Sequence, residues 1–438
     1  MKQSSYTALI RNNRSFRYLW SGQVISLCGD WFNLIASAAL IAALTQSGTA
    51  VGGLFVVRML APFLVSPIAG VIADRYNRKR IVISTDLLRA VVVLGFVLVR
   101  EPEHAWLVYV LTAIQSASQG FYFPAWNAIL PDITSAAELS VANALSAATW
   151  SVMLAFGAAL GGLVSGVVGV YPAFVIDAVT FLLSALILLR MPYSSSLEAS
   201  SDQSILAGIQ QYLDGLRYLW RHIDTFSIAI HKGVLGLLII GFYQVAQVTI
   251  AEQYFPIGEG ASISLGLIYV MSGIGSGIGP ILGRNWARDR DRRLRLAIAV
   301  GYVCAFVGFL ISATLISLPV ILLGGLLRGI GGGLIWVLGT QLLLQILPNE
   351  VRGRVFSTEF ALYTLFAALS SGATGWLIDS TGELRIVLLL ASFLLLIPIV
   401  LWLLWILRRG GRPRRGGVVG GGGRRRGGGG GGGGGGVG

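Results

Sequence analysis

Apolar stretches of roughly 20 residues follow one another along almost the whole chain, each long enough to cross a ~30 Å hydrocarbon core as a helix. Read between charged or Pro/Gly breaks, they cover residues 18–44, 51–73, 80–99, 105–129, 141–168 and 171–191. A second set covers 223–248, 261–283, 295–317, 319–347, 356–378 and 384–407. These are spans 1 to 12. The chain is 55% hydrophobic and 12% charged, with a mean hydropathy of +0.74, which excludes a soluble globular enzyme.

The expected fold is an all-α membrane protein of twelve transmembrane helices in two six-helix bundles. Residues 1–191 form the first bundle, 192–222 a polar linker, 223–407 the second bundle, and 408–438 a disordered Gly/Arg tail. Within the linker, Ile205, Ile209, Tyr212, Leu213, Leu216 and Leu219 fall on one face at helical spacing, as in a surface helix. The first apolar run is far longer than a signal-peptide core and lacks a small-residue cleavage site, so it is expected to stay in the membrane.

Positive charge sets the orientation, because basic loops resist translocation. One side carries Arg11, Arg14 and Arg17, then Arg75, Arg78, Lys79 and Arg80, then six arginines between Arg284 and Arg295, then Arg352 and Arg354. The opposite loops hold only Arg100 and Arg385. Both termini are therefore expected in the cytoplasm of a bacterial inner (plasma) membrane. The same bias accounts for the net charge of +13, so no nucleic-acid partner is expected, and the eight arginines of the tail suit anionic lipid headgroups.

The halves echo each other. Gly70 and Gly283 each precede a basic loop, Leu130-Pro131 and Leu347-Pro348 close spans 4 and 10, and Gly162 and Gly375 hold matching places in spans 5 and 11. Two similar bundles related by an axis along the membrane normal place a substrate path between them and imply alternating access.

The segment running from Gly70 through Asp74 and Arg75 to Arg78, Lys79 and Arg80 resembles the signature loop of the major facilitator superfamily, placed as in that family between spans 2 and 3. Finer features resemble its macrolide-efflux and enterobactin-exporter branch: Arg14 and Arg17 running into Trp20 and Gln23, Phe123-Pro124 ahead of Leu130-Pro131, and Arg352 and Arg354 after span 10. The resemblance implies a latch made of Gly70, Asp74, Arg75 and Arg78, with Asp86 and Arg89 close to it. There are two departures. Ala158 stands where exporters often carry a span 5 proline, and Gln115 and Gln119 stand where many proton antiporters carry a span 4 arginine.

Ionisable side chains inside a bilayer are expensive and so mark function. Asp30, Arg58, Asp86, Arg89, Asp177, Lys232 and Arg328 fall within spans. Asp86 and Arg89 share a helix face and can pair. Asp30 and Asp177 are the proton-coupling candidates, although an arginine such as Arg58 or Arg328 could equally hold Asp30 as a fixed pair. Trp31, Asn33, Arg58, Gln115, Gln119, Tyr122, Trp126, Gln244, Arg328 and Trp336 are candidates for the substrate path.

The expected function is export of an amphipathic small molecule (a drug, macrolide or siderophore) by proton antiport. The alternative is an uptake permease or facilitator for a dedicated solute, without proton coupling. An ATP-driven pump is disfavoured, because the glycines from Gly275 to Gly279 are followed by Pro280 and no lysine. Three histidines and two separated cysteines offer no catalytic or metal-binding grouping, so no enzyme activity, metal or cofactor is expected, and the chain is expected to act as a monomer.

Overall fold

The computed structural model describes residues 6–193, 205–288 and 290–410, and among them every regular element is helical. Twelve long helices match the twelve expected spans. The first six are Arg14–Thr45, Gly48–Arg75, Arg78–Leu98, Ala105–Ile133, Ala136–Val167 and Val170–Leu189. The second six are Ile223–Tyr254, Ser262–Ala287, Asp291–Ser312, Leu318–Ile346, Asn349–Thr381 and Leu384–Arg408.

Several helices outrun their apolar stretch. Span 11 begins at Asn349 instead of 356, and span 7 continues to Tyr254 instead of 248. Hydropathy marks where lipid ends, whereas backbone hydrogen bonding continues into water. Span 9 is shorter than its apolar run and stops at Ser312, before Leu315 adopts a left-handed φ of 51°. Span 4 falls below the hydropathy of the other eleven because Gln115, Ser116, Ser118 and Gln119 interrupt it, yet it packs between spans 2 and 3 as a full member of the bundle.

Local chemistry fixes the helix starts. Asn13 accepts from the Phe16 amide, Ser47 from the Ala50 amide, and Ser135 with Glu138 forms a reciprocal capping box at the start of span 5. Spans 2, 4 and 8 carry internal prolines (Pro62 and Pro67, Pro124 and Pro131, Pro280), and span 7 passes through two π-helical turns, both sources of bending.

Spans 1–6 pack among themselves, as do spans 7–12, and the two sets join mainly where span 2 meets span 11 and span 5 meets span 8. At both seams the contact is backbone to backbone, near the face opposite the basic loops. A Cβ on Gly162 would lie 2.8 Å from Gly266 Cα and from the Ser262 carbonyl, and a Cβ on Gly375 would collide with Gly48. Asp379 of span 11 accepts from the Gly48 amide (2.6 Å), the Thr49 amide (2.9 Å) and the Ser47 hydroxyl (2.7 Å), so the second half caps a helix of the first. These contacts join the halves near the face opposite the basic loops, whereas an added Cβ on Gly70 or Gly353, at the basic face, would meet nothing within 4 Å.

The linker helix Ile205–Arg221 packs against spans 2 and 11, with Gly215 pressed on Arg354 and Thr358. Its buried face is narrower than the spacing suggests: Leu219 is buried and Leu216 half-buried, but Leu213 is 54% exposed. The side chains of Ile205, Ile209 and Tyr212, and the tail beyond residue 410, lie outside the described residues.

Candidate functional site

The first half holds its ionisable side chains in one group. Gly22 and Gly29 let span 1 lie against span 6, so that any side chain at Gly29 would strike Asp177 and Thr180. That close approach brings Asp30 and Asp177 into one site, and span 3 completes it. Arg89 bonds Asp86 (2.5 Å) and reaches Asp30 (3.6 Å), while the second oxygen of Asp86 accepts from the Ser184 hydroxyl at 2.6 Å. The guanidinium lies between the rings of Tyr122 and Phe181, 4.7 and 4.3 Å from their centres. Arg58 of span 2 makes no ion pair within 4 Å among the described residues, and its Nη1 is buried without a hydrogen-bond partner. One oxygen of Asp177 is likewise buried without a partner.

A narrow cleft opens onto this group, lined by Gln23, Asp30, Arg89, Gln119, Tyr122 and Trp126 among others. Gln119, Tyr122 and Trp126 thus line this cleft, whereas Gln115 and Asn33 are not among its lining residues and are buried with amide atoms that lack partners. Trp31 lies at the seam, edge-on to Tyr269 of the second half at 5.3 Å.

The second half is arranged differently. Lys232 bonds Glu359 (2.7 Å) and faces Trp336, whose ring centre is 4.7 Å away. Glu359 escaped the sequence reading although it lies within the apolar run of span 11, and its pair with Lys232 stands beside the partly buried Trp336. Arg328 has no carboxylate within ion-pair distance among the described residues. It donates to the Ser272 hydroxyl (2.5 Å) and stacks 3.6 Å from the Tyr243 ring centre. Gln244 has a buried side-chain oxygen without a partner.

The signature loop differs from its expected form. Gly70 meets no neighbouring helix here, and Asp74 is exposed and makes no ion pair among the described residues. Asp86 and Arg89 join Asp30 in the membrane core instead of Asp74. Arg75 is exposed at the end of span 2. Arg78 pairs with Asp132 (2.8 Å) and donates to the Ala128 carbonyl, and Lys79 donates to the carbonyls of Leu189 and Met191. The loop therefore ties span 3 to the ends of spans 4 and 6 within one half. The Tyr193 hydroxyl donates to Asp132 at 2.6 Å; burial and that carboxylate push its pKa up to about 12, so it remains a donor at neutral pH.

The family model described as Major Facilitator Superfamily matches residues 19–358 and 265–424. An uncharacterized MFS-type transporter, YfiS of Bacillus subtilis, is 26% identical over 89% of this chain and 93% of its own length. The putative bacilysin exporter BacE of Bacillus amyloliquefaciens is 25% identical over 87% of this chain and 93% of its own length. Macrolide efflux protein A of Streptococcus pyogenes is 26% identical over 52% of this chain and 54% of its own length. Among solved structures, the nucleoside transporter NupG superposes with a TM-score of 0.72 at 12% identity, covering 90% of this chain and 99% of that one.

Proposed function

The chain belongs to the Major Facilitator Superfamily, and from that premise we propose that it exports an amphipathic small molecule in exchange for protons. As a multi-pass membrane transporter it is read as working by alternating movement of its halves, and the face that carries the basic loops is read as the cytoplasmic side of a bacterial inner membrane, with both termini inside. One observation carries the coupling. Within the membrane-embedded group of the first half stand three carboxylates (Asp30, Asp86 and Asp177) but two guanidiniums (Arg58 and Arg89), and the buried Arg89–Asp86 pair uses one of each. One carboxylate is left without a counter-ion beside a cleft that Asp30 lines. A buried charge of that kind is relieved by a proton or by a cationic group, and two occupants competing for one place is the basis of antiport.

Similarity to proteins named as exporters supports the outward direction. The working unit is read as a monomer: protons and the small molecule are its ligands, and anionic headgroups hold its basic face.

The test is transport into everted vesicles with an imposed proton gradient, using a panel of lipophilic drugs and macrolides. Accumulation should collapse with a protonophore, and in Asp30→Asn or Asp177→Asn it should persist only as gradient-independent equilibration. Accumulation indifferent to the protonophore in the parent protein would instead favour an uncoupled permease.

A further inference from the structure

We infer that the transported molecule is an amphipathic zwitterion whose anionic group is held by Arg328. This rests on the antiport reading above and adds the chemical class of the cargo.

The two halves carry opposite residual charges. In the second half Lys232 is neutralised by Glu359, but Arg328 has no carboxylate counterpart among the described residues. Only 7% of its surface is exposed; a hydroxyl and an aromatic face meet part of its guanidinium, and its Nε has no hydrogen-bond partner. A guanidinium buried in lipid without an anion is costly, and stacking on Tyr243 offsets only part of that cost. In the first half the imbalance is reversed, with one carboxylate in excess.

These two poles flank the seam where Trp31 meets Tyr269: Asp30 adjoins Trp31 in span 1, and Ser272, to which Arg328 donates, lies one turn beyond Tyr269 in span 8. A molecule with an anionic end on Arg328 and a cationic end on the first-half carboxylates would neutralise both poles together. Its apolar body would lie on the rings of Trp31, Trp126 and Tyr269. Its cationic end would also occupy the place a proton takes, so the same contacts that bind the cargo would displace the proton.

The test is binding to the purified full-length protein, followed by tryptophan fluorescence, of four forms of leucyl-phenylalanine: free, C-terminal amide, N-acetyl, and both ends capped. The free dipeptide should bind at least about tenfold more tightly than either singly capped form, the difference expected when a buried charge loses its partner. In Arg328→Gln the free acid and the amide should bind alike, and Arg328→Lys should keep the preference for the acid, which separates lost charge from lost folding. Equal binding of all four forms, binding of none, or an acid preference that survives Arg328→Gln would overturn the inference. If the free dipeptide is preferred but vesicle transport ignores the proton gradient, the cargo class stands and the antiport reading fails.

Discussion

Gly162→Val and Gly375→Val are each expected to drive the protein out of the conformation described above, lowering the reactivity of a cysteine placed at Gly353. The reason is that the obstructing atoms are backbone. At Gly162 an added Cβ meets Gly266 Cα and the Ser262 carbonyl at 2.8 Å, and at Gly375 it meets the backbone of Gly48, so no side chain can rotate away. Overpacking of this kind costs about 1–3 kcal/mol. Since about 1.4 kcal/mol is a factor of ten, the closed face would lose roughly 5- to 150-fold in population relative to an arrangement open there. The measurement is labelling of Gly353→Cys by an impermeant maleimide in everted vesicles, in a background lacking Cys28 and Cys304. Gly339→Val, where the added atom meets open space, serves as the control. Labelling that stays constant in the Gly162 and Gly375 variants would show that these seams do not govern access to position 353.

Removing Arg89 is expected to have the largest effect on stability. Asp86 is fully buried and Arg89 nearly so, and the guanidinium is also wedged between two rings. Arg89→Ala strips a buried carboxylate of its partner and leaves a void between Tyr122 and Phe181, for which about 3–5 kcal/mol is the expected loss. Thermal unfolding in detergent should show a large drop for Arg89→Ala, partly recovered in the Asp86→Asn, Arg89→Gln double variant, which bears neither charge. A single variant as stable as the parent would mean that Asp86 carries its proton permanently and needs no cation.

Much of the fold was written in the sequence because lipid imposes a length on every apolar run, and even span 4 declared itself through its apolar ends despite the polar stretch from Gln115 to Gln119. The pairing of Asp86 with Arg89 was legible because three residues on a helix bring side chains together. The echo between Gly162 and Gly375 was also informative, since both lie at seams joining the halves. What remained hidden depends on rotation of one helix against another. Nothing in span 1 alone indicates that Asp30 faces Arg89, or that Asn33, one turn further on, is buried. Glu359 was overlooked inside an otherwise apolar run, and only the approach of span 7 reveals why a carboxylate is tolerated there.

The carboxylate of Asp379 grips the first turn of span 2 from the other half of the molecule, at a partly watered face. Bonds that water can replace contribute little net free energy, about 0.5–1.5 kcal/mol each. Their value is in alignment. Three donors from Ser47, Gly48 and Thr49 converge on two oxygens only when the glycine ridges of spans 2 and 11 are in one particular register. The carboxylate thus acts as an indexing pin: weak enough to be exchanged for water, it is satisfied at only one angular setting of the two halves, so it selects that setting without locking it.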